Sequence, residues 1–338
     1  MCLVRISARV PLFVVLLILA QAAPWLGTHA QGYTESTLSA KARFMSPLHL
    51  LAAALFCVLS LTGQAATRFT FISPESERDP RTTYDRELLR LALDKTRDQF
   101  GDYLLEPAPP MTKARERLSM QLDSYPNLFV MDSYSSTRED LGLAYVRFPI
   151  HLGIVSYRIC FVSPQQKAAV SKVTDLKGLR QFTFGQGKGW LDVDILRYAG
   201  MEVVEVEGYE KLFKMVARGR FDLFCRGVSE LRSEQLTHKE MTDLLVDDAL
   251  LIYYPLPRVF YTNPNNREAL QRVERGLQLA WQDGSLQALW RKSFGPAIAF
   301  AKLSQRRLLR LDNPFLDGIS FDYRPYFYNP QADRFGDY

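Results

Sequence analysis

The chain has 338 residues, 47% hydrophobic and 23% charged, enough for one or two domains with cores of their own. Its 42 Lys and Arg stand against 37 Asp and Glu, but no Lys/Arg run resembles a stripe that follows a phosphate backbone, so no nucleic-acid partner is expected. Two of the four histidines, His29 and His49, sit near the N-terminus; His151 and His238 alone remain for the body, which excludes a histidine-rich metal site and leaves a Ser-His-Asp triad few places to start.

Residues 1–30 place Arg5 and Arg9 before an apolar run that ends in Thr28-His29-Ala30, the layout of an export signal. A second such segment, 41–65, follows: Lys41 and Arg43, the run "PLHLLAAALFCVLSLTG", then Gly63-Gln64-Ala65. Tandem signals suggest a start codon placed too early, with Met45 or a nearby position as the true start. The alternative is a pair of membrane anchors, but each apolar core is shorter than the roughly 20 residues that span a bilayer. A bulky Phe56 before Cys57 speaks against a lipid anchor. Residues 1–65 carry Arg5, Arg9, Lys41 and Arg43 against Glu35 alone, so the remaining 273 residues are near +2.

Beyond the leader, "TRFTFISPE" (67–75) reads as a strand ending at Pro74 and "TYDRELLRLALDKTRDQFG" as a helix closed by Gly101, with Leu88, Leu91, Ala92 and Lys95 on one side. "DYLLEPAP" is a second strand. "TKARERLSMQLDSYP" is a helix, with Ala114, Leu118 and Leu122 recurring every four residues, and "NLFVMDSYS" is a third strand. This alternation predicts an α/β lobe with parallel strands. Residues 139–165 are long, extended and poorly periodic. The α/β grammar then restarts: a short helix, turn and strand in "VTDLKGLRQFTFGQGKG", a helix in "WLDVDILRYAG", a strand in "MEVVEVEG", a helix in "YEKLFKMVARG" with Leu212, Phe213 and Val216 inward, a strand in "RFDLFCRG", and the helix start "SELRSEQL". A second extended stretch, 247–264, leads to two helices split at "QDG", the first presenting Leu270, Val273, Leu277 and Trp281. The path of the Pro- and aromatic-rich tail after Asn313 is not readable.

Two extended stretches bracket a complete α/β block, so one lobe is expected to be inserted into another through two crossover strands, with a ligand cleft between lobes that rotate about them. The expected organisation is 67–155 as the first part of lobe 1, 156–250 as inserted lobe 2, 251–310 as the second part of lobe 1 and 311–338 as a tail. Cys160 and Cys225 are the two cysteines of this body; an oxidising compartment permits a disulfide, and two buried thiols are the favoured reading.

The stretches "TYDRELLRLALDKT" (83–96), "STRED" (136–140), "GIVSYRICFV" (153–162), "VTDLKGL" (173–179), "GQGKGW" (185–190), "YEKLF" (209–213), "GRFDLFCRGVSE" (219–230) and "DGSLQALW" (283–290), in that order, resemble the extracytoplasmic solute-binding proteins of ABC transporters, in the family of the polar-amino-acid binders. The resemblance covers about 67–310. It implies a periplasmic binding protein type II fold, a periplasmic location, a small polar solute, anionic or amino-acid-like, held in the cleft with hinge closure, a monomer, and no chemistry, cofactor or metal.

In such binders an arginine after the third strand grips the solute carboxylate, and Arg138 matches that place; a guanidinium offers a carboxylate a bidentate fork. The alternative is a solvated Arg138 paired with Glu139 or Asp140. The loop "FGQGKGWLDVD" adds Gln186, Gly187 and Trp190: its backbone N–H groups can turn toward an anion at a helix start. The family's small hydroxyl after the last glycine is replaced by Trp190, which either stacks on a planar solute or packs. A dinucleotide fingerprint is not expected here, because no acidic residue is placed for a ribose. Where the family carries a carboxylate for the solute's ammonium, this chain has Cys225-Arg226-Gly227, with Glu230 one turn on. Arg226 either draws an anion into the cleft or forms a structural pair with Glu230. Three functions remain open: solute delivery to an ABC permease, sensing for a membrane signalling partner, and, because dehydratases are known on this fold, a lyase relying on carboxylates such as Glu75, Glu77 or Glu230.

Overall fold

The computed structural model describes residues 66–74 and 82–336, with residues 138–140 described by their backbone alone. The two leader-like segments, Glu75 and Glu77 lie outside the described residues. The chain opens with β1 (Thr67–Ile72), α1 (Thr82–Asp94), a single turn α2 (Arg97–Phe100), β2 (Tyr103–Ala108), α3 (Lys113–Gln121), β3 (Leu128–Ser133) and β4 (Ala144–Tyr145). Next come β5 (Tyr157–Val162), α4 (Pro164–Val170), α5 (Leu176–Leu179), β6 (Thr183–Gly187), α6 (Leu191–Tyr198), β7 (Glu202–Val206), α7 (Tyr209–Ala217), β8 (Leu223–Gly227), α8 (Val228–Thr237), β9 (Leu245–Val246) and β10 (Leu250–Tyr253). It closes with β11 (Arg258–Thr262), α9 (Arg267–Gln282), α10 (Ser285–Ala301), β12 (Arg307–Arg310), β13 (Tyr328–Asn329) and β14 (Arg334–Phe335).

While β13 and β14 pair as a separate hairpin, two sheets divide β1–β12 into two α/β lobes. The first has the order β2-β1-β3-β11-β4, and the second β12-β10-β5-β8-β6-β7 with β9 beside β5. As the strand–helix alternation requires, β1 is parallel to β2 and β3, and β6 is parallel to β7 and β8. The strands that carry the chain between lobes break this rule: β11 runs antiparallel to β3, and β5 antiparallel to β8 and β10. Pro107 falls in β2, an edge strand, where its missing N–H leaves no ladder bond unmade.

Three expectations change. Residues 251–253 and 307–310, expected in lobe 1, belong to the second sheet: β10 pairs with β5, and β12 runs parallel to β10. Four consecutive backbone pairings hold β12 there, a long-range match that local periodicity does not encode. The cysteines are joined rather than free. Cys160 and Cys225 lie directly opposite each other on β5 and β8, and their sulfurs form a disulfide. Finally, α3 turns its Ala114, Leu118 and Leu122 stripe outward, with Leu118 and Leu122 exposed by 52% and 67%, and buries Glu116, Ser119 and Met120 instead.

Elsewhere the apolar spacing reads correctly. Leu212, Phe213 and Val216 are fully buried, and Val273 and Leu277 lie in the core. Helix α9 meets α1 at Gly276, where a Cβ would fall 2.0 Å from the Ala92 carbonyl oxygen, so only glycine permits that approach. Asp222 ties strand starts together: its carboxylate accepts from the Thr183 N–H and hydroxyl, both at 2.8 Å, and from the Gln166 amide at 2.7 Å. Among the described residues no helix is long and apolar enough to cross a membrane.

Candidate interlobe binding site

Between the sheets lies a cavity of about 70 Å³, lined from the first lobe by Lys113, Glu116, Asp132, Ser133 and Arg258 and from the second by Trp190, Asp192, Arg226 and Glu230, among others. Local structure aims each group. The N–H of Gly227, where β8 ends, donates to the Glu230 carboxylate (3.1 Å), which fixes that carboxylate at the start of α8, where the helix dipole favours a negative charge. Asp192 stands in the first turn of α6 for the same reason. On the other wall the Thr112 hydroxyl caps α3 by accepting from Arg115 N–H, and α3 presents Lys113, Glu116 and Arg117 to the cleft side.

Glu230 is the meeting point of three guanidiniums. Arg226 Nη2 lies 3.0 Å from it, Arg258 Nη1 3.6 Å and Arg158 Nη1 3.9 Å. Two more carboxylates balance these cations. Arg226 Nε donates to Glu234 at 2.9 Å, and its Nη2 approaches the same group to 2.8 Å. Arg158 Nη2 sits 2.8 Å from Asp192, which also accepts from the Tyr254 hydroxyl at 2.5 Å. Burial opposes the Arg226 charge, but Glu230 and then Glu234 outweigh it and hold its pKa well above the ordinary guanidinium value. In the first lobe, Lys113 pairs with Glu116 at 2.7 Å and Arg117 with Asp132 at 3.3 Å. The cavity wall is thus rich in charge of both signs, and each cation named here has a carboxylate beside it.

The lobes also touch across the cleft. The Arg258–Glu230 pair joins β11 to α8, and Arg117 Nη2 donates to the Gly189 carbonyl at 2.9 Å. A second, more open chamber of about 440 Å³ shares Lys113 and Trp190 with the inner one and adds Arg117, Lys188, Glu207 and Lys211. Trp190 stands between the two. Its ring lies on Gly187, where a Cβ would come within 2.3 Å of it, and Arg226 stacks over the ring at 4.8 Å. Trp190 therefore packs within its own lobe while bordering both chambers.

Trp190, Arg226 and Glu230 are brought together in the inner cavity, and Gly187 lines the outer chamber. Gln186 lies apart from both: its side chain is fully buried in lobe 2 and donates to the Cys225 carbonyl at 3.4 Å, because β6 alternation points it into the sheet interior. Arg138 falls in the 3₁₀ turn Ser136–Leu141, and its side chain lies outside the described residues. Sequence reasoning missed Lys113, Arg117, Arg158, Asp192, Glu234 and Arg258. Two left a signal. Arg158 is a single charge in the otherwise apolar strand "YRICFV", and Glu234 falls one turn after Glu230 on the same helix face. Among the described residues no cluster of His, Cys, Asp and Glu could hold a metal ion.

No protein-family model and no curated protein matches the chain. Solved structures do. An ancestral arginine-binding protein bound to arginine is 15% identical over 69% of this chain and 100% of that one, with a TM-score of 0.52. A Salmonella typhimurium periplasmic binding protein of high arginine specificity is 14% identical over 68% of this chain and 100% of its own, at 0.51. A histidine kinase sensor domain with similarity to periplasmic binding proteins is 14% identical over 69% and 97%, at 0.50. At such identities the likeness is one of fold: this chain has the two-lobed α/β fold of the periplasmic binding proteins.

Proposed function

We propose that the chain is an exported binding protein that takes a small polar, amino-acid-like solute into the interlobe cleft and performs no chemistry on it. The cavity wall carries the reading. Lys113, Glu116, Asp132 and Arg258 from the first lobe and Asp192, Arg226 and Glu230 from the second line a space that both lobes build, and the Arg258–Glu230 pair crosses it. A solute bearing both charges exchanges partners with these pairs one for one. A purely anionic solute leaves carboxylates facing it, which weakens the attraction that Arg226 alone suggests. Every carboxylate named in the wall is engaged by a cation, and among the described residues no histidine lines the inner cavity and no side chain there is poised as a free general base. Export to the periplasm rests on the leader-like residues 1–65, and delivery to an ABC permease on the resemblance to transport binding proteins. Likeness to a kinase sensor domain supports a second reading, in which the closed state is passed to a membrane signalling partner.

The test is a thermal-shift screen of the full chain against zwitterionic, anionic and cationic small solutes at about 1 mM. A ligand with a Kd near 10 µM raises stability by roughly 2.7 kcal/mol at that concentration. Stabilisation by zwitterions over the other two classes is expected. A purely cationic or purely anionic best ligand overturns the charge reading.

A further inference from the structure

Residues 311–336 leave β12 of the second sheet and run over two of the segments that join the lobes, 146–156 and 254–257. The strap begins at the second crossover, where Leu311 N donates to the Tyr253 carbonyl and Asn313 Nδ2 to the Pro255 carbonyl, each at 2.8 Å. It then holds the first lobe: Ser320 Oγ and the Tyr145 hydroxyl lie 2.7 Å apart, and the Tyr134 hydroxyl donates to the Asp317 carbonyl at 3.2 Å. Its last part, the hairpin of β13 and β14, covers the first crossover. Tyr328 N donates to the Leu152 carbonyl at 2.8 Å, and the Phe327 ring fills the place of a side chain at Gly153, where a Cβ would sit 2.5 Å from the ring. Gly153 also has φ +75° and its neighbour Leu152 φ +47°, so the crossover turns sharply under the strap. Phe327 and Tyr328 are 1% and 2% exposed. Asp333 anchors the hairpin by accepting from the Tyr328 hydroxyl at 2.8 Å and from Arg291 on α10 at 3.0 Å.

We propose that this strap sets how far the cleft opens. Rotation of the lobes must change backbone angles in these two crossovers, and the strap that follows β12 of the second lobe is bonded to each of them and to the first lobe. Opening therefore requires Phe327 to leave Gly153, and the strap biases the molecule toward the closed arrangement. This rests on the two-lobed binding reading, since only lobes that move need restraint.

Hydrogen exchange on the full chain tests it. The readout is residues 187–193 and 131–133, which border the cleft and not the strap. Phe327→Ala is expected to speed their exchange at least about threefold while β1 and β7 stay protected. Asp333→Ala, which removes an exposed anchor and cannot unfold the core, is expected to act in the same direction by about twofold. Glu230→Gln serves as the control that loosens the cleft directly. Faster exchange confined to 148–156 and 324–336 in both strap variants, with Glu230→Gln still loosening the cleft, overturns the strap alone. No response at the cleft in any of the three overturns the hinge itself.

Discussion

Arg226 and Glu234 meet in the interior of the second lobe, where their side chains are 2% and 0% exposed. A pair so placed contributes little by forming, because desolvation offsets the attraction, but it costs much to break from one side. Arg226→Ala leaves Glu234 and Glu230 buried without their shared cation, and a loss of about 3–5 kcal/mol in unfolding free energy is expected from urea titration followed by circular dichroism. A loss below about 1 kcal/mol would show that Arg226 does not hold the second lobe together. Tyr328 makes a second prediction. Burial, then the hydrogen bond to Asp333, raise its pKa to about 12, while Arg291 acts in the opposite sense. A phenol whose folded pKa exceeds its unfolded value near 10 contributes stability that is complete below about pH 10 and lost as the pH climbs to about 12. Tyr328→Phe is expected to flatten the fall in thermal stability across that window. Tyr84 and Tyr254 are raised too, so the difference between wild type and variant is the quantity to measure.

Helix α3 shows where periodicity misleads. Spacing by four selects Ala114, Leu118 and Leu122, yet the helix borders the cleft and its inward face is mostly polar: Glu116 accepts from Lys113, which also donates to the Met131 carbonyl. Met120 supplies the apolar contact to the cluster of Ile72, Leu128, Val130 and Val259. Met120→Ala is therefore expected to cost about 2–5 kcal/mol, and Leu122→Ala within about 0.5 kcal/mol of nothing; the reverse order would restore the sequence reading. Strands β5 and β8 give a second case. Their registry sets Cys160 opposite Cys225 and closes a 65-residue separation. Reduction, or the double variant Cys160→Ser/Cys225→Ser, should lower stability by about 2–4 kcal/mol, seen as a lower urea midpoint. Spacing alone could not show this pairing, because it depends on which strands become neighbours.

At the scale of the whole molecule, Glu230 couples the lobes. It accepts the approach of Arg258 from the first lobe while serving Arg226 and Arg158 in its own. Glu230→Gln leaves three guanidiniums facing one another. The cleft should widen, visible as a larger radius of gyration in solution scattering, and a double-mutant cycle with Arg258→Gln should give a coupling of about 0.5–3 kcal/mol. Zero coupling would mean that the lobes are held together elsewhere. The charge pattern of the cleft was only partly legible beforehand. Arg226 and Glu230 are close in sequence, so their pairing could be weighed as an alternative, whereas Arg258 reaches the site from a strand 28 residues away.

The sequence by itself determined the alternation of strands and helices, the two extended segments that interrupt it, and hence two α/β lobes with a cleft, because each of these is written in local periodicity and turn residues. It also placed Trp190, Arg226 and Glu230 near strand ends, where such folds gather their sites. Only the tertiary structure decided which charges neutralise which, that β12 joins the second sheet, that the cysteines meet, and that the tail lies over both crossovers. The physical reason is common to all four. Each depends on groups far apart in the chain, and backbone pairing, burial and Coulomb attraction select those partners only once the lobes have packed.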